Sequence, residues 1–152
     1  KAAVFNAGSI RQSVQPGNIT PGDVYTALPL ANSVVTLNLT GADLQKILQQ
    51  SADLEEGRGG KLQTYGIDYG VQDGKVKIDK IGGTDFDPQR VYAIATHDFL
   101  AAGGDGYATM KEKATDVYAT AMPLSDLVVD FIKDKKALTK QMLDELKETQ
   151  TH

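Results

Sequence analysis

The unbroken apolar run of residues 91–95 restricts the fold of this chain more than any other feature. It reads Val-Tyr-Ala-Ile-Ala and follows a turn at Asp87-Pro88. Side chains alternate between the two faces of a sheet, so a strand that is apolar at every position is typical of one buried on both faces. The run therefore predicts a central strand in a sheet packed with helices.

Further strand patterns supply the rest of that sheet. Residues 2–5 and 33–39 are short apolar or β-branched stretches that favour strands. Residues 64–71 and 75–81 are predicted as two more strands joined by Asp73-Gly74, because this dipeptide suits the positive φ angles of a tight hairpin turn. We expect a mixed β-sheet from these segments.

Two predicted helix starts carry a threonine followed three positions later by an acid. Thr20-Pro21-Gly22-Asp23 predicts a short helix that ends before Pro29, and Thr40-Gly41-Ala42-Asp43 predicts a second that ends near Leu54. The second helix has an apolar stripe at spacings of three and four, formed by Leu44, Ile47, Leu48 and Ala52. The glycine-rich residues 57–60 follow it and predict a mobile loop.

The C-terminal part of the sequence predicts two further helices. Pro123 and Ser125 open one, whose side chains expected to face inward are Leu124, Leu127, Val128, Phe131 and Ile132. Thr139 caps a last, charged helix whose apolar residues are Met142, Leu143 and Leu146. At 152 residues without an internal repeat, the chain is predicted to form a single domain, residues 1–152, of the α+β class.

Charge and composition disfavour several classes of function. The net charge of −4 argues against DNA or RNA as a partner, since binding nucleic acid mainly means neutralising phosphates. No apolar run reaches the roughly 18 to 20 residues that span a bilayer, so no membrane partner is expected. The chain has no cysteine, and its two histidines are His97 and the last residue, His152. We therefore expect neither a metal site nor a cofactor in it.

A glycine-rich segment directly after the predicted central strand is the strongest local indication of a binding site. In Gly103-Gly104-Asp105-Gly106-Tyr107, three glycines surround one acid, which lets the backbone turn sharply and approach a ligand closely. The spacing does not match the known glycine motifs that bind phosphate. The alternative is a tight turn in which the acid caps nearby N–H groups.

Arginines and aromatic residues give further candidates. Arg11 follows a glycine-bearing segment and could hold a phosphate or carboxylate with its fork of N–H groups, or simply pair with a surface acid. Arg58 and Arg90 are expected to be solvated. Phe99 and Tyr65 could stack on a nucleic base or belong to the core, and the sequence spacing alone does not bring the two rings together.

A nucleophilic triad is a weaker hypothesis. His97 next to Asp98 suggests acid–base chemistry, and Ser9 could complete a Ser/His/Asp set. However, the chain lacks the G-x-S-x-G strand-turn-helix motif, and a lone histidine at a strand end is more often a structural hydrogen-bonding residue. The structural role is therefore favoured for His97.

Several motifs, taken in order, resemble the C-terminal domain of the 5'-nucleotidase family. The run with the highest specificity continues from Asp98-Phe99 through the glycine segment at residues 103–107. The match extends over residues 1–135, and the motifs that precede this run are Asn6-Ala7-Gly8-Ser9-Ile10-Arg11, Gly17-Asn18-Ile19-Thr20, Asp23-Val24-Tyr25, Leu28-Pro29-Leu30-Ala31-Asn32 and Leu39-Thr40-Gly41.

The resemblance implies a division of labour between two domains. A separate N-terminal metallophosphoesterase domain of the same polypeptide would hold two divalent metal ions and the catalytic residues, so this chain alone is expected to be inactive. The present domain would recognise the nucleotide or nucleoside of a 5'-nucleotidase, a UDP-sugar hydrolase or a cyclic-nucleotide phosphodiesterase. Such enzymes are secreted, which implies a periplasmic or cell-surface location.

The resemblance also implies roles for individual residues. Phe99 and Tyr65 would sandwich the base, Asp105 with Gly103 and Gly104 would bind the ribose, and the remaining contacts would come from Arg11 and Asn32. Relatives carry additional arginines where this sequence has Gln15, Lys46 and Gln49. An alternative is therefore a non-catalytic interaction module of the same fold that has lost nucleotide recognition.

Overall fold

The computed structural model describes the backbone of residues 1–148 and the side chains as far as residue 145, so the predicted apolar position Leu146 lies outside the described side chains. The elements are, in chain order, β1 (Ala2–Asn6), α1 (Pro21–Ala27), β2 (Ser33–Thr40), α2 (Gly41–Ala52), β3 (Leu62–Tyr65), β4 (Ile67–Gln72), β5 (Lys75–Ile81), β6 (Thr84–Asp85), β7 (Val91–His97), α3 (Asp98–Ala101), α4 (Ala108–Lys113), β8 (Thr115–Pro123), α5 (Leu124–Lys135) and α6 (Lys140–Glu148).

The strands form two sheets. A five-stranded sheet has the order β3-β1-β7-β2-β8, and a three-stranded sheet has the order β4-β5-β6. Only the β1–β7 pair is parallel among the described strands. The mixed sheet packed with helices confirms the predicted α+β class.

The core lies between α2, the buried face of the five-stranded sheet and β5. Thr40 accepts a hydrogen bond from the backbone N–H of Asp43, at 3.1 Å, and so starts α2 as predicted. Three residues of the helix stripe, Leu44, Ile47 and Leu48, are completely buried. They pack in one cluster with residues of the strands and of α4, among them Val4, Leu37, Ile94, Ile78 and Met110.

The central strand is buried on one face only, contrary to the prediction from its apolar run. Tyr92 and Ile94 are buried, whereas Val91 is 57% exposed and Ala93 is also exposed. The outward side chains of β7 line a shallow depression of about 700 Å³, together with Tyr65 of β3. The prediction is wrong because apolar side chains also occur on sheet faces that nothing covers. The sequence pattern alone does not distinguish a covered face from an uncovered one.

The predicted strand 64–71 is divided at Gly66 into β3 and β4, which belong to different sheets. Gly66 has a φ of +67°, and a Cβ at this position would lie 2.0 Å from the carbonyl oxygen of Lys1. Only glycine fits both the backbone conformation and the space. The hairpin at Asp73-Gly74 is confirmed, since Gln72 pairs with Lys75 across it.

The C-terminal part differs from the prediction in two ways. α4 and the edge strand β8 were not predicted, and β8 is irregular, with left-handed residues at Asp116 and Ala121. In α5, Val129 is buried and lines a small cavity together with Val24 of α1, whereas Leu127 and Phe131 are 40% and 45% exposed. Their predicted inward positions are wrong because α1 covers only a narrow line of the helix.

Among the described helices, none has the length and apolar character required to cross a bilayer.

Candidate functional site

The parallel pair β1 and β7 places the candidate site at one edge of the five-stranded sheet. The two strands run in the same direction, so the chain leaves both of them at the same edge, a common position for ligand sites. A cleft of about 840 Å³ opens there, within the range of roughly 300 to 1,000 Å³ typical of small-molecule sites. The polar and aromatic residues that line it are Asn6, Arg11, Asn32, Arg58, Phe99 and Asp105.

The glycine-rich segment after α3 presents an acid to this cleft and packs against the ring of Phe99, which lies in α3 itself. Gly103 and Asp105 have left-handed backbones, with φ of 88° and 54°. A Cβ on Gly104 would lie 2.5 Å from a ring atom of Phe99. The backbone at Gly104 therefore lies directly against the ring of Phe99, which is 44% exposed and lines the cleft.

The carboxylate of Asp105 is held on one side and free on the other. Its Oδ2 accepts a hydrogen bond of 2.6 Å from Nδ2 of Asn6, at the end of β1. Within the described part of the chain, Oδ1 accepts no hydrogen bond, and the residue is exposed. Oδ1 is thus available to a donor on a ligand in the cleft.

Beneath Asp105, three buried polar side chains meet at the amide oxygen of Asn6. Oδ1 of Asn6 accepts from the hydroxyl of Ser9 and lies 2.9 Å from Nε2 of His97. Asn6, Ser9 and His97 are 6%, 2% and 1% exposed. Burial lowers the pKa of His97, and the weaker opposing effects of Asp98 and Asp105 do not reverse this direction. The imidazole is therefore neutral at pH 7.

This geometry does not favour a nucleophilic triad. Oγ of Ser9 is 3.4 Å from Nε2 of His97, but the hydroxyl donates to Asn6 instead. Nδ1 of His97 has no hydrogen-bond partner among the described residues, so no acid orients the ring from that side. Both side chains are also sealed from solvent.

Two arginines line the cleft. Within the described residues, no carboxylate pairs with Arg11, so the structure does not show the surface ion pair that was its alternative. Arg58 is solvated as expected, at 69% side-chain exposure with Glu55 at 3.8 Å, but it also lines the cleft. Sequence reasoning did not predict this position, although the glycines that flank Arg58 are a usable signal of close backbone approach.

The loop that carries Arg58 is attached to the rest of the site through its backbone. The N–H of Gly8 donates to the carbonyl of Gly59 at 2.7 Å. The hydroxyl of Tyr107 donates to the carbonyl of Gly60, also at 2.7 Å. Tyr107 is completely buried, and burial raises the pKa of its hydroxyl. The two bonds place the arginine loop next to the glycine-rich segment that holds Asp105.

The structure brings Asn32 to the cleft but not Tyr65. Asn32 lines the cleft and is half-buried, and its backbone carbonyl accepts a hydrogen bond from the N–H of Leu124 at 2.9 Å. Tyr65 lies in the depression on the open sheet face with Val91. Phe99 is the one aromatic residue that lines the cleft among the residues described.

A family model described as 5'-nucleotidase, C-terminal domain, matches residues 1–112. The chain belongs to this family. It is 34% identical over 111 residues to protein UshA of Escherichia coli K12, which covers 73% of this chain and 20% of that protein. It is 37% identical over 105 residues to a 5'-nucleotidase of Vibrio cholerae, and this match covers 69% of this chain and 19% of that protein.

The solved structures agree with this assignment. A 5'-nucleotidase precursor from Thermus thermophilus has a TM-score of 0.79 and 28% identity, and the likeness covers 91% of this chain and 29% of the larger one. The family and fold predicted from the ordered motifs are thus confirmed. The chain spans about a fifth of the length of the curated relatives it matches.

The described part of this 5'-nucleotidase C-terminal domain does not provide the ligands of a metal centre. It contains no group of three or more His, Cys, Asp or Glu side chains that could hold an ion. The family resemblance implies two divalent ions in a separate N-terminal domain, and the residues described here offer no group that would hold them.

Proposed function

We propose that this domain binds the nucleotide or nucleoside substrate of a 5'-nucleotidase-type phosphohydrolase. The observation that carries the proposal is the meeting of an exposed ring, a free carboxylate oxygen and an unpaired guanidinium in one cleft, at Phe99, Asp105 and Arg11. These groups have the chemistry required for a base, for ribose hydroxyls and for a phosphate.

Phe99 would stack on the base. Its ring is supported from one side by Gly104 and stacks on His97 at 6.2 Å between centroids, with an angle of 15°. Base–aromatic stacking contributes about 1 to 3 kcal/mol for each base. The amide of Asn32 could contact the base edge. Since Tyr65 lies in another depression, the proposal assigns the stacking to Phe99 alone.

Asp105 would accept a hydrogen bond from a ribose hydroxyl through its free Oδ1, in the turn formed with Gly103 and Gly104. Arg11 would bind the phosphate, and Arg58 supplies a second guanidinium in the lining of the same cleft. Arg58 provides positive charge to the cleft. Lys46, at one of the positions where relatives carry an arginine, does not line the cleft and instead pairs with Asp43 at 3.6 Å on the outside of α2.

Hydrolysis would be carried out by another domain of the same polypeptide, a metallophosphoesterase with two divalent metal ions N-terminal to this one. The contribution of the present domain would be to hold the substrate in position, which lowers the entropic part of the barrier. We also propose that the parent enzyme works in the periplasm or at the cell surface, as the family resemblance implies.

An NMR titration of the labelled domain with adenosine and then with AMP tests the binding. We expect dissociation constants of about 1 mM, which corresponds to about −4 kcal/mol and matches one stacked face plus a few hydrogen bonds. Amide shifts should cluster at Phe99 and residues 103–107. AMP should add shifts near Arg11 and Arg58.

Tyr65 provides a matched control for the role of Phe99. The two rings are 43% and 44% exposed, but only Phe99 lines the cleft. We expect Phe99→Ala to weaken adenosine binding about tenfold, in line with the loss of a stacked base, and Tyr65→Ala to leave it unchanged. Equal losses in both variants would contradict the assignment to this cleft. Absence of any shift at several millimolar would support the interaction module without nucleotide recognition.

A further inference from the structure

We propose that His97 is a positioning residue for Asp105, acting through the side-chain amide of Asn6. The contacts form a chain, since Nε2 of His97 lies 2.9 Å from Oδ1 of Asn6, and Nδ2 of Asn6 lies 2.6 Å from Oδ2 of Asp105. The ligand-binding part of this inference rests on the proposed function, because it takes Asp105 as the group that receives the ribose.

The direction of each hydrogen bond follows from the carboxylate. An ionised carboxylate only accepts, so Asn6 must present its NH₂ group to Asp105. The amide oxygen of Asn6 then faces His97, which must donate to it. Nε2 of His97 therefore carries the proton, and Nδ1, which has no partner among the described residues, is the unprotonated nitrogen.

Two donors fix the amide of Asn6. The hydroxyl of Ser9 and Nε2–H of His97 occupy both lone pairs of Oδ1. A flipped amide would place its oxygen against the carboxylate of Asp105 and its NH₂ against two donors. All three side chains beneath Asp105 are buried, so water cannot replace a lost partner at low cost.

The consequence is a carboxylate with a defined free oxygen. Asn6 holds Oδ2 of Asp105, which leaves Oδ1 to accept from a ligand hydroxyl. Without the donor of His97, Asn6 keeps only Ser9 as a donor and can rotate. His97 should therefore control the preference for ligands with ribose hydroxyls, and a ring at this position, which stacks on Phe99, should preserve the binding of the base.

The first test uses the wild-type domain without ligand. Nitrogen-15 chemical shifts of the imidazole report which ring nitrogen carries the proton. We expect the Nε2–H form, with a side-chain NH₂ resonance of Asn6 shifted by its bond to the carboxylate. The Nδ1–H form would overturn the proposal, because that ring could not donate to Asn6.

The second test compares two variants with two ligands. His97→Phe keeps a ring but loses the donor, whereas His97→Gln places an NH₂ group near the position of Nε2. The ratio of the affinities for adenosine and 2',3'-dideoxyadenosine isolates the hydroxyl contact from stacking on Phe99. We expect the ratio to fall about threefold to tenfold in His97→Phe, the loss of one hydrogen bond, and to be retained in His97→Gln. An unchanged ratio in a folded His97→Phe domain would overturn the proposal.

The two proposals fail in different ways. If the wild-type domain binds neither nucleoside, the proposed function fails, and the Asn6 NH₂ resonance in His97→Phe then decides the positioning role. A shift of that resonance towards the value of a free amide supports it, and an unchanged resonance overturns it. If His97→Phe does not fold, the protonation state of the wild-type imidazole decides.

Discussion

Asp105 keeps a left-handed backbone conformation, with a φ of 54°, at the point where its carboxylate enters the cleft. Such a conformation costs most residues about 1 to 2 kcal/mol, although Asp tolerates it better than most. The glycines on either side of Gly104-Asp105 have φ of 88° and 82° and adopt it freely. The sequence pattern predicted the sharp turn. It could not predict Asn6 as the partner, since that residue is 99 positions away in the chain.

His97 should make the stability of the domain sensitive to acid. Burial lowers its pKa in the folded state below the unfolded value of about 6.5. The unfolded chain therefore binds more protons when the pH falls below that value, and the free energy of unfolding decreases. We expect urea midpoints to be constant above about pH 7 and to fall progressively as the pH drops from 6.5 towards the folded pKa.

The matched control for this prediction is His97→Gln, which cannot titrate. Carboxylates also titrate as the pH falls, so the informative quantity is the difference between the urea midpoints of the wild type and of the variant at each pH. We expect the midpoint of the variant to change less than that of the wild type between pH 7 and pH 5. Parallel curves would show that His97 carries no share of the acid sensitivity.

At the level of strands and helices, Gly66 separates two sheets that the sequence pattern joins into one strand. Residues 64–71 have the composition of a strand throughout, and the break comes from the close approach of Lys1, a contact between distant parts of the chain. Asp73-Gly74 was predictable because a hairpin turn is a local structure. The same distinction between local and long-range structure explains the wrong prediction for α5. The exposure of Leu127 and Phe131 depends on how little of this helix is covered by α1, which is remote in sequence.

Replacing Gly66 by alanine should destabilise the domain by about 3 kcal/mol or more. The cost combines a left-handed backbone with a Cβ only 2.0 Å from a backbone oxygen. Gly74→Ala is the matched control, since Gly74 has a similar φ of +75° but no atom within 4 Å of an added Cβ. We expect Gly74→Ala to cost about 1 to 2 kcal/mol by chemical denaturation. Similar losses in both variants would refute the role of the Lys1 contact.

Over the whole molecule, the site is assembled from segments that are remote in sequence. Arg11, Asn32, Phe99 and Asp105 were candidates from the sequence, and the structure brings all four to one cleft. The parallel pairing of β1 and β7 explains why two of the motifs meet. Tyr65 was expected beside Phe99, but in β3 it alternates with the buried Thr64 and so lies on the open sheet face, in another depression.

The isolated domain should not hydrolyse AMP with any divalent metal. Its described residues provide no cluster of three metal-binding side chains, and a metal-dependent phosphohydrolase requires a centre of that kind. The measurement is phosphate release from AMP with Mg²⁺, Mn²⁺, Co²⁺ or Zn²⁺ added in turn. A preparation with Phe99→Ala serves as the control, because a contaminating enzyme would be indifferent to that change. Robust release that Phe99→Ala abolishes would contradict the prediction.

The position of β1 between β3 and β7 determines the order in which the domain can fold. Among the described strands β1 comes first in the chain, yet its partners lie at residues 62–65 and 94–95. Until β7 has been made, Val4 has no completed sheet to enter, and the edge of β1 that pairs with β7 stays open. Pairings so distant in sequence slow folding and expose apolar segments to aggregation. Refolding of this domain should therefore be slow and sensitive to protein concentration, with β1 among the last strands to be fixed.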